Sequence, residues 1–257
     1  MPETALVTGA SSGIGEQFAR QLSERGHELI LVARRSDRLE RLAGELHGNA
    51  HVVPCDLATE VDSLAGRVAE LGLEVELLVN NAGFGTYGHF VDLDPRREAE
   101  EVRVNCEAIV TLTHAFLPAM VKRERGGVIV VASTAGMQPI PYEATYSASK
   151  AFALTFTEAL HEEVRGSGVR VLAVNPGPVP TEWQRIAGHD DTALVPGEIP
   201  AEQVVRESLE AYDAGRRSVI PGRMIRWFIR ATAPSPRALQ LRITERMYRP
   251  SRERKTT

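Results

Sequence analysis

Tyr146 and Lys150 lie four residues apart in a stretch whose pattern predicts a helix from Ala144 to Val164, which puts the phenol and the ammonium on one helix face. Thirteen residues before the tyrosine, Ser133 follows the apolar run Val128-Ile129-Val130-Val131. Alone, a tyrosine and a lysine at this spacing describe an ordinary exposed helix face. Beside a serine at the end of a strand in the same sheet they acquire a chemical use. A phenol titrates near ~10 and a lysine near ~10.4, and each pK unit by which a nearby ammonium lowers the phenol represents about 1.4 kcal/mol. The expectation is a tyrosine drawn toward neutrality that gives and takes a proton, next to a hydroxyl that steadies an oxygen gaining charge.

Directly after the run Ala5-Leu6-Val7 comes Thr8-Gly9-Ala10-Ser11-Ser12-Gly13-Ile14-Gly15, leading into a stretch with Ile14, Phe18 and Leu22 on one helical face. Glycines at such a junction allow a tight turn and let a pyrophosphate approach the backbone, while the helix that follows offers unpaired N–H groups and the positive end of its dipole. The spacing is Gly-x-x-x-Gly-x-Gly and departs from the commoner Gly-x-Gly-x-x-Gly fingerprint; by itself the loop also reads as a plain turn. The second apolar run ends Val32-Ala33-Arg34-Arg35, with no acid before Asp37. An acid there would grip the ribose hydroxyl of NAD, whereas guanidiniums suit the 2′-phosphate of NADP. The alternative is that Arg34 and Arg35 are the solvated start of a helix.

The elements that must hold these groups alternate. Short β-branched runs, Ala5 to Val7, Leu29 to Val32, Val52-Val53, Leu77 to Val79, Val128 to Val131, Val169 to Val174 and Ser218 to Ile220, are separated by longer amphipathic stretches. Runs that are apolar throughout are strands covered on both faces. The pattern predicts an α/β fold with a doubly wound, mostly parallel seven-stranded sheet of Rossmann type, helices on both faces, over residues 1–222. Residues 223–257 form a basic helical extension. With 257 residues, 43% hydrophobic and 25% charged, the chain has material for one large core and is neither disordered nor fibrous. Cys55 and Cys106 have no partners at metal-ligand spacing, so no metal site and no disulfide framework is expected. No unbroken apolar run reaches the length of a bilayer span and Met1-Pro2-Glu3-Thr4 has no signal character, which places the chain in the cytoplasm. From Arg216 to Thr257, twelve Lys or Arg face Glu245 and Glu253, a local +10; the net charge of −4 then leaves −14 for the rest. That acidic body has no nucleic-acid footprint.

In this order, Thr8 to Gly15, Asn80-Asn81-Ala82-Gly83, Asn105, Ser133, Tyr146-Ser147-Ala148-Ser149-Lys150, and Pro176-Gly177 with Thr181 make the chain from Thr4 to Gly222 resemble a single-domain short-chain dehydrogenase/reductase. The resemblance implies that Tyr146 is the general acid or base, that Ser133 hydrogen-bonds the substrate oxygen, and that Lys150 holds the nicotinamide ribose while lowering the tyrosine pKa. It gives Asn105 a water relay behind them. It implies an NADP cradle of Gly9, Ser11, Ser12, Gly13, Ile14 and Gly15, with Arg34 and Arg35, with Asp56 and Leu57 at the adenine, with Asn81, Ala82 and Gly83 beside the sheet, and with Pro176, Gly177 and Thr181 near the nicotinamide. It also implies a homodimer or homotetramer paired through the helices carrying Asn105 and Tyr146.

In open α/β sheets ligands lie off the carboxyl ends of the strands. The loops there offer Phe84, Tyr87 and Phe90, then Met137, Ile140 and Tyr142, then Val179, Trp183, Ile186, Leu194 and Val195, with His89 and Arg185 the polar exceptions. That set suits a hydrophobic small-molecule carbonyl or alcohol. The prolines and glycines between Pro178 and Pro200 mark a long loop with the character of a lid. In the tail, arginines at 223, 226 and 230 leave Ile225, Phe228 and Ile229 on another side. A basic amphipathic helix of this kind lies on an anionic membrane surface or caps its own core or a partner subunit. Three functions fit: an NADP-dependent reductase or dehydrogenase of hydrophobic carbonyls, a 3-oxoacyl-thioester reductase whose tail docks a carrier phosphate, and a non-catalytic NADP-binding sensor. The last has no need to keep Ser133, Tyr146 and Lys150 together.

Overall fold

The computed structural model describes residues 3–182, 187, 198–232 and 235–250. The seven apolar runs become β1 (Thr4–Thr8), β2 (Glu28–Ala33), β3 (Ala50–Pro54), β4 (Val75–Asn80), β5 (Gly126–Val131), β6 (Val169–Val174) and β7 (Ser218–Val219). They form one sheet in the order β3-β2-β1-β4-β5-β6-β7, and every pairing is parallel. The helices are α1 (Gly13–Glu24), α2 (Ser36–Glu45), α3 (Val61–Glu70), α4 (Pro95–Val102), α5 (Ala108–Lys122), α6 (Ala144–Glu163), α7 (Ala201–Asp213), α8 (Arg223–Thr232) and α9 (Arg237–Tyr248).

Because side chains alternate along a strand, each apolar run feeds two cores. Val7, Leu31, Val79, Ile129 and Leu172 face one side, with Phe18 and Leu22 of α1, Leu39 of α2 and Val204 and Leu209 of α7. Leu6, Ile30, Leu78, Val128 and Val171 face the other, with Leu64 of α3, Leu112 of α5 and Ala153 of α6. Two-sided burial is why these strands carry no polar alternation.

The strand order reverses between β1 and β4, and one side chain ties the two strands there. Thr8 Oγ1 donates to the Val79 carbonyl at 3.2 Å and accepts from the Asn81 and Ala82 amides at 3.0 Å each. Asn81 Nδ2 returns a bond to the Thr8 carbonyl at 2.8 Å. The crevice that opens at such a reversal is where α/β sheets bind ligands.

Helices α4 and α5 join through a π turn, Arg103–Glu107, into one run, Pro95–Lys122, that by length and composition could cross a bilayer. Here Ile109, Leu112 and Met120 of α5 are instead buried against the sheet. Beyond β7 the chain stays with the body. Ile225 of α8 is buried against Gly177, where a Cβ would stand 2.9 Å from Ile225 Cγ1. Arg226 bonds Glu207 of α7 at 3.0 Å and the Ile220 carbonyl at 2.9 Å.

Truncating Leu78 in the central strand β4 removes a fully buried side chain. Leu78→Ala is expected to cost about 2–5 kcal/mol in urea unfolding with an unchanged denaturant slope, against less than about 0.5 for the exposed Leu71→Ala. A cost at Leu78 no larger than at Leu71 would contradict two-sided packing.

Candidate active site

A cavity of about 850 Å³ opens where β1, β4, β5 and β6 end. Its nucleotide-sized half begins at the glycine turn. Gly9 and Gly13 have φ of +67° and +59°, and a Cβ on Gly9 would stand 2.7 Å from Asn81 Nδ2. A Cβ on Gly15 would stand 2.3 Å from the Gly9 carbonyl oxygen, so this glycine is needed for helix–strand packing and does not itself line the cavity. Ser12 is the N-cap of α1, but its hydroxyl accepts no bond from a helix amide, which leaves the first-turn amides and the dipole end for an anion. The cradle therefore fits a dinucleotide pyrophosphate.

Arg35 lies across this turn: its guanidinium donates to Ser11 Oγ at 3.1 and 3.3 Å, to Ser12 Oγ at 3.1 Å and to Glu182 at 2.9 Å. Arg38, one turn into α2, reaches the same Glu182 carboxylate at 2.9 Å, and Arg38 and Arg35 together hold that acid down to about 2. Arg34 is exposed and lines the cavity, as do Asp56 and Leu57. The guanidiniums that converge here are thus Arg35 and Arg38, where Arg34 and Arg35 were expected, and the acid between them lies almost 150 residues further along the chain. Nothing in local spacing signals Glu182.

Ser133, Tyr146 and Lys150 meet on the other half of the cavity. Ser133 ends the β5 segment and accepts from the Ala135 amide at 3.1 Å. The turn it begins lies against α6 because position 136 has no side chain; a Cβ there would stand 2.5 Å from the Lys150 carbonyl. Lys150 Nζ donates to the Val131 carbonyl at 2.8 Å and sits 5.9 Å from the centre of the Tyr146 ring. Burial lowers this ammonium to about 8. Burial also drives the Tyr146 phenol above its ordinary value, opposed by a hydrogen bond with Ser133. This reverses the direction expected from sequence: desolvation of the phenolate, with the charges of Glu143 and Glu101, outweighs the Ser133 hydrogen bond.

Asn105 is fully buried in the π turn. Its Oδ1 accepts from the Phe84 amide at 3.1 Å, and its Nδ2 donates to the Phe84 carbonyl at 2.8 Å and to Ser149 Oγ at 2.9 Å. The amide side chain is committed to clamping the 83–84 loop onto α6 and does not line the cavity. Both side-chain N–H groups of Asn105 are thus used within the protein.

Beneath these residues lies an acid cluster that spacing did not reveal. Glu98, Glu101 and Glu143 are all buried. Thr86 Oγ1 stands 2.5 Å from Glu98 Oε1 and 3.0 Å from Glu101 Oε2, and Thr145 donates to the other Glu98 oxygen. One hydroxyl proton cannot serve two carboxylates, so a proton on one acid completes the set. Burial pushes Glu101 up to about 7, and its Oε1 has no hydrogen-bond partner among the described residues.

The remaining wall is apolar. Phe84, Ile140 and Val179 line the cavity as expected, but Tyr87, Phe90, Met137 and Tyr142 do not. Tyr87 donates to the Tyr248 carbonyl at 2.7 Å and Tyr142 to Glu245 at 2.9 Å, so two loop aromatics fasten α9. His89 stacks edge-on against Tyr142. Helices α8 and α9 supply the wall instead, through Ile225, Phe228, Ile229, Ile243, Met247 and Tyr248. Their spacing of three and four was present in the tail sequence. Trp183, Arg185, Ile186, Leu194 and Val195, with most of the expected lid, lie outside the described residues.

Comparison with known proteins places this geometry. The short chain dehydrogenase family model matches residues 3–191. Oxidoreductase UcpA of Salmonella typhimurium is 38% identical over 185 residues, 70% of this chain and 70% of that protein. The very-long-chain 3-oxoacyl-CoA reductase of Coprinopsis cinerea is 38% identical over 205 residues, 76% of this chain but 60% of the relative. The solved short-chain dehydrogenase of Sphingobium yanoikuyae, in complex with NADPH, superposes with a TM-score of 0.81 at 31% identity, covering 91% of this chain and 93% of that one. With the sheet order, the glycine turn and the Ser133–Tyr146–Lys150 cluster already in place, these matches establish that the chain is an oxidoreductase of the short-chain dehydrogenase/reductase family, whose members bind a nicotinamide cofactor.

Proposed function

We propose that this protein is an NADP-dependent oxidoreductase acting on a hydrophobic ketone, aldehyde or secondary alcohol. The observation that carries the reading is the convergence of Ser133, Tyr146 and Lys150 on a cavity whose far wall is the apolar face of α8 and α9. Gly9, Ser11, Ser12, Gly13 and Ile14 would hold the pyrophosphate, Arg34 and Arg35 the 2′-phosphate, with Asp56 and Leu57 at the adenine end and Asn81 to Gly83, Pro176, Gly177 and Thr181 at the other. When bound, the nicotinamide supplies or accepts the hydride.

The chain's own groups manage the proton. Ser133 donates a hydrogen bond to the carbonyl oxygen, and the Tyr146 phenol transfers its proton to that oxygen as charge develops there. The phenolate left behind is stabilised by the Lys150 ammonium, which the Val131 carbonyl orients. A phenol raised by burial is a weaker acid but leaves a stronger base, so the ammonium's charge decides whether the transfer is feasible. Oxidation of an alcohol runs the same proton in reverse. The exposed apolar side chains Val110 and Val121 of α5 and Phe152 of α6 support pairing of subunits through these helices.

A 3-oxoacyl-thioester substrate is the second reading, favoured by the likeness to the Coprinopsis cinerea reductase. Assays with NADPH and NADH against plain hydrophobic ketones and 3-oxoacyl thioesters separate the two by kcat/KM.

In that assay Tyr146→Phe is expected to lower kcat by at least about 10²-fold, the scale of a lost general acid, with cofactor binding by fluorescence retained. Full turnover in this variant would reject the proton role. Arg34→Ala with Arg35→Ala should raise KM for NADPH about 10- to 100-fold and that for NADH much less, as loss of charge-assisted bonds to a phosphate requires. Equal effects on both cofactors would reject the 2′-phosphate site.

Carbonyl reduction should fall as pH rises through about 8, where the Lys150 ammonium is lost. Glu101, Glu98 and Glu143 face this region together with the Cys106 thiol. Removing the Glu101 charge withdraws support from the ammonium, so Glu101→Gln should move that limb to lower pH. Stability should move the other way. The Glu101 pKa rises from 4.5 unfolded to about 7 folded, so the stability it allows is full below 4.5 and is lost as pH climbs through 7. Glu101→Gln is therefore expected to melt higher than the parent at pH 8 and level with it near pH 4.5. A parent whose melting temperature does not fall between these values relative to the variant would show that Glu101 ionises freely.

A further inference from the structure

The tail helices have a second face that the cavity does not use. Trp227 and Met224 of α8 are 71% and 61% exposed, and Leu239, Leu241 and Ile243 of α9 are also exposed. Arg223, Arg230, Arg237, Arg242 and Arg246 are exposed on the same two helices, and none forms an ion pair with a described carboxylate. A monomer rarely leaves so many large apolar side chains together in water. Phe228 of α8 and Ile243 of α9 are both exposed and part of the cavity wall, so the outer apolar patch is continuous with the cavity.

We propose that the α8–α9 face docks on an anionic phospholipid surface and that the cavity draws its substrate from that bilayer. Trp227, Met224, Leu239 and Leu241 would enter the headgroup–acyl boundary, while the arginines meet lipid phosphates. The charge distribution selects this occupant: residues 216–257 carry +10 on a chain of net −4. A second copy seated on this face by two-fold symmetry would set the same five arginines of each chain against one another. The part concerning substrate supply rests on the hydrophobic substrate proposed above; the docking itself does not.

The test is co-sedimentation of the full chain with phosphatidylcholine vesicles, with and without about one-third phosphatidylglycerol. Binding is expected to be about tenfold stronger with the anionic lipid and to fall by about tenfold when salt is raised to ~0.5 M. Trp227→Ser with Leu239→Ser, and separately Arg230→Glu with Arg237→Glu, should each abolish it while leaving far-UV circular dichroism and turnover of a water-soluble ketone unchanged. No binding, equal binding to both vesicles, or binding untouched by the variants would overturn the proposal. So would light scattering that shows a mass doubling lost in the Trp227 variant, which would assign the face to a second copy. Vesicle binding in a protein that reduces no carbonyl would leave the docking face standing and defeat the substrate reading alone.

Discussion

A lysine and a tyrosine buried together set the constraint around which this structure is organised. An ammonium removed from water keeps its charge only if something replaces the lost hydration. Here the Val131 carbonyl does so directly, at the end of β5, and the carboxylate of Glu101 contributes from further away. The Val131 carbonyl is available because β5 stops there and the chain turns at Ser133 into a segment that lies on α6. Strand end, serine turn and lysine helix are thus one arrangement. Displacing any of them exposes or orphans the charge.

The same economy explains the π turn. A regular helix from Pro95 to Lys122 would carry the Asn105 amide at a different angle; the wider turn at Arg103–Glu107 lets it fasten the 83–84 loop to Ser149 of α6. Gly83 is pinned between them, since a Cβ there would stand 3.0 Å from Asn105 Oδ1 and 3.2 Å from Lys150 Nζ. π turns recur at functional sites because they re-aim a side chain without ending the helix. Asn105 therefore acts on the site through the backbone it holds.

Local pattern made the sheet legible. Apolar runs with turn residues between them identify strands whatever their partners, and Ala5 to Val7 or Val169 to Val174 could hardly be read otherwise. The glycine turn and the Tyr146–Lys150 spacing were legible for a related reason: their geometry is set by neighbours in sequence. What could not be read depends on distant segments. Glu182 meets Arg35 and Arg38 from almost 150 residues away, Tyr87 and Tyr142 reach α9 across more than 100, and the phenol's pKa follows from burial, which no spacing encodes. The tail was legible as amphipathic, but which of its faces met the cavity was decided by where Gly177 left room for Ile225.

That last contact lies in a segment that the cavity's apolar wall and the nucleotide cradle share. Pro176 and Gly177 leave β6 beside Thr134, whose amide and hydroxyl both bond the Pro176 carbonyl, at 2.9 and 3.2 Å. Gly177 then receives Ile225 from α8, while Thr181, a few residues on, lies over Gly13 of the nucleotide cradle. A single short stretch therefore touches the serine turn, the tail helix that walls the cavity and the glycine turn. The same stretch ends at Glu182, the acid that bonds Arg35 and Arg38. The serine turn, the apolar wall and the guanidinium pair thus meet on one peptide segment beside the sheet.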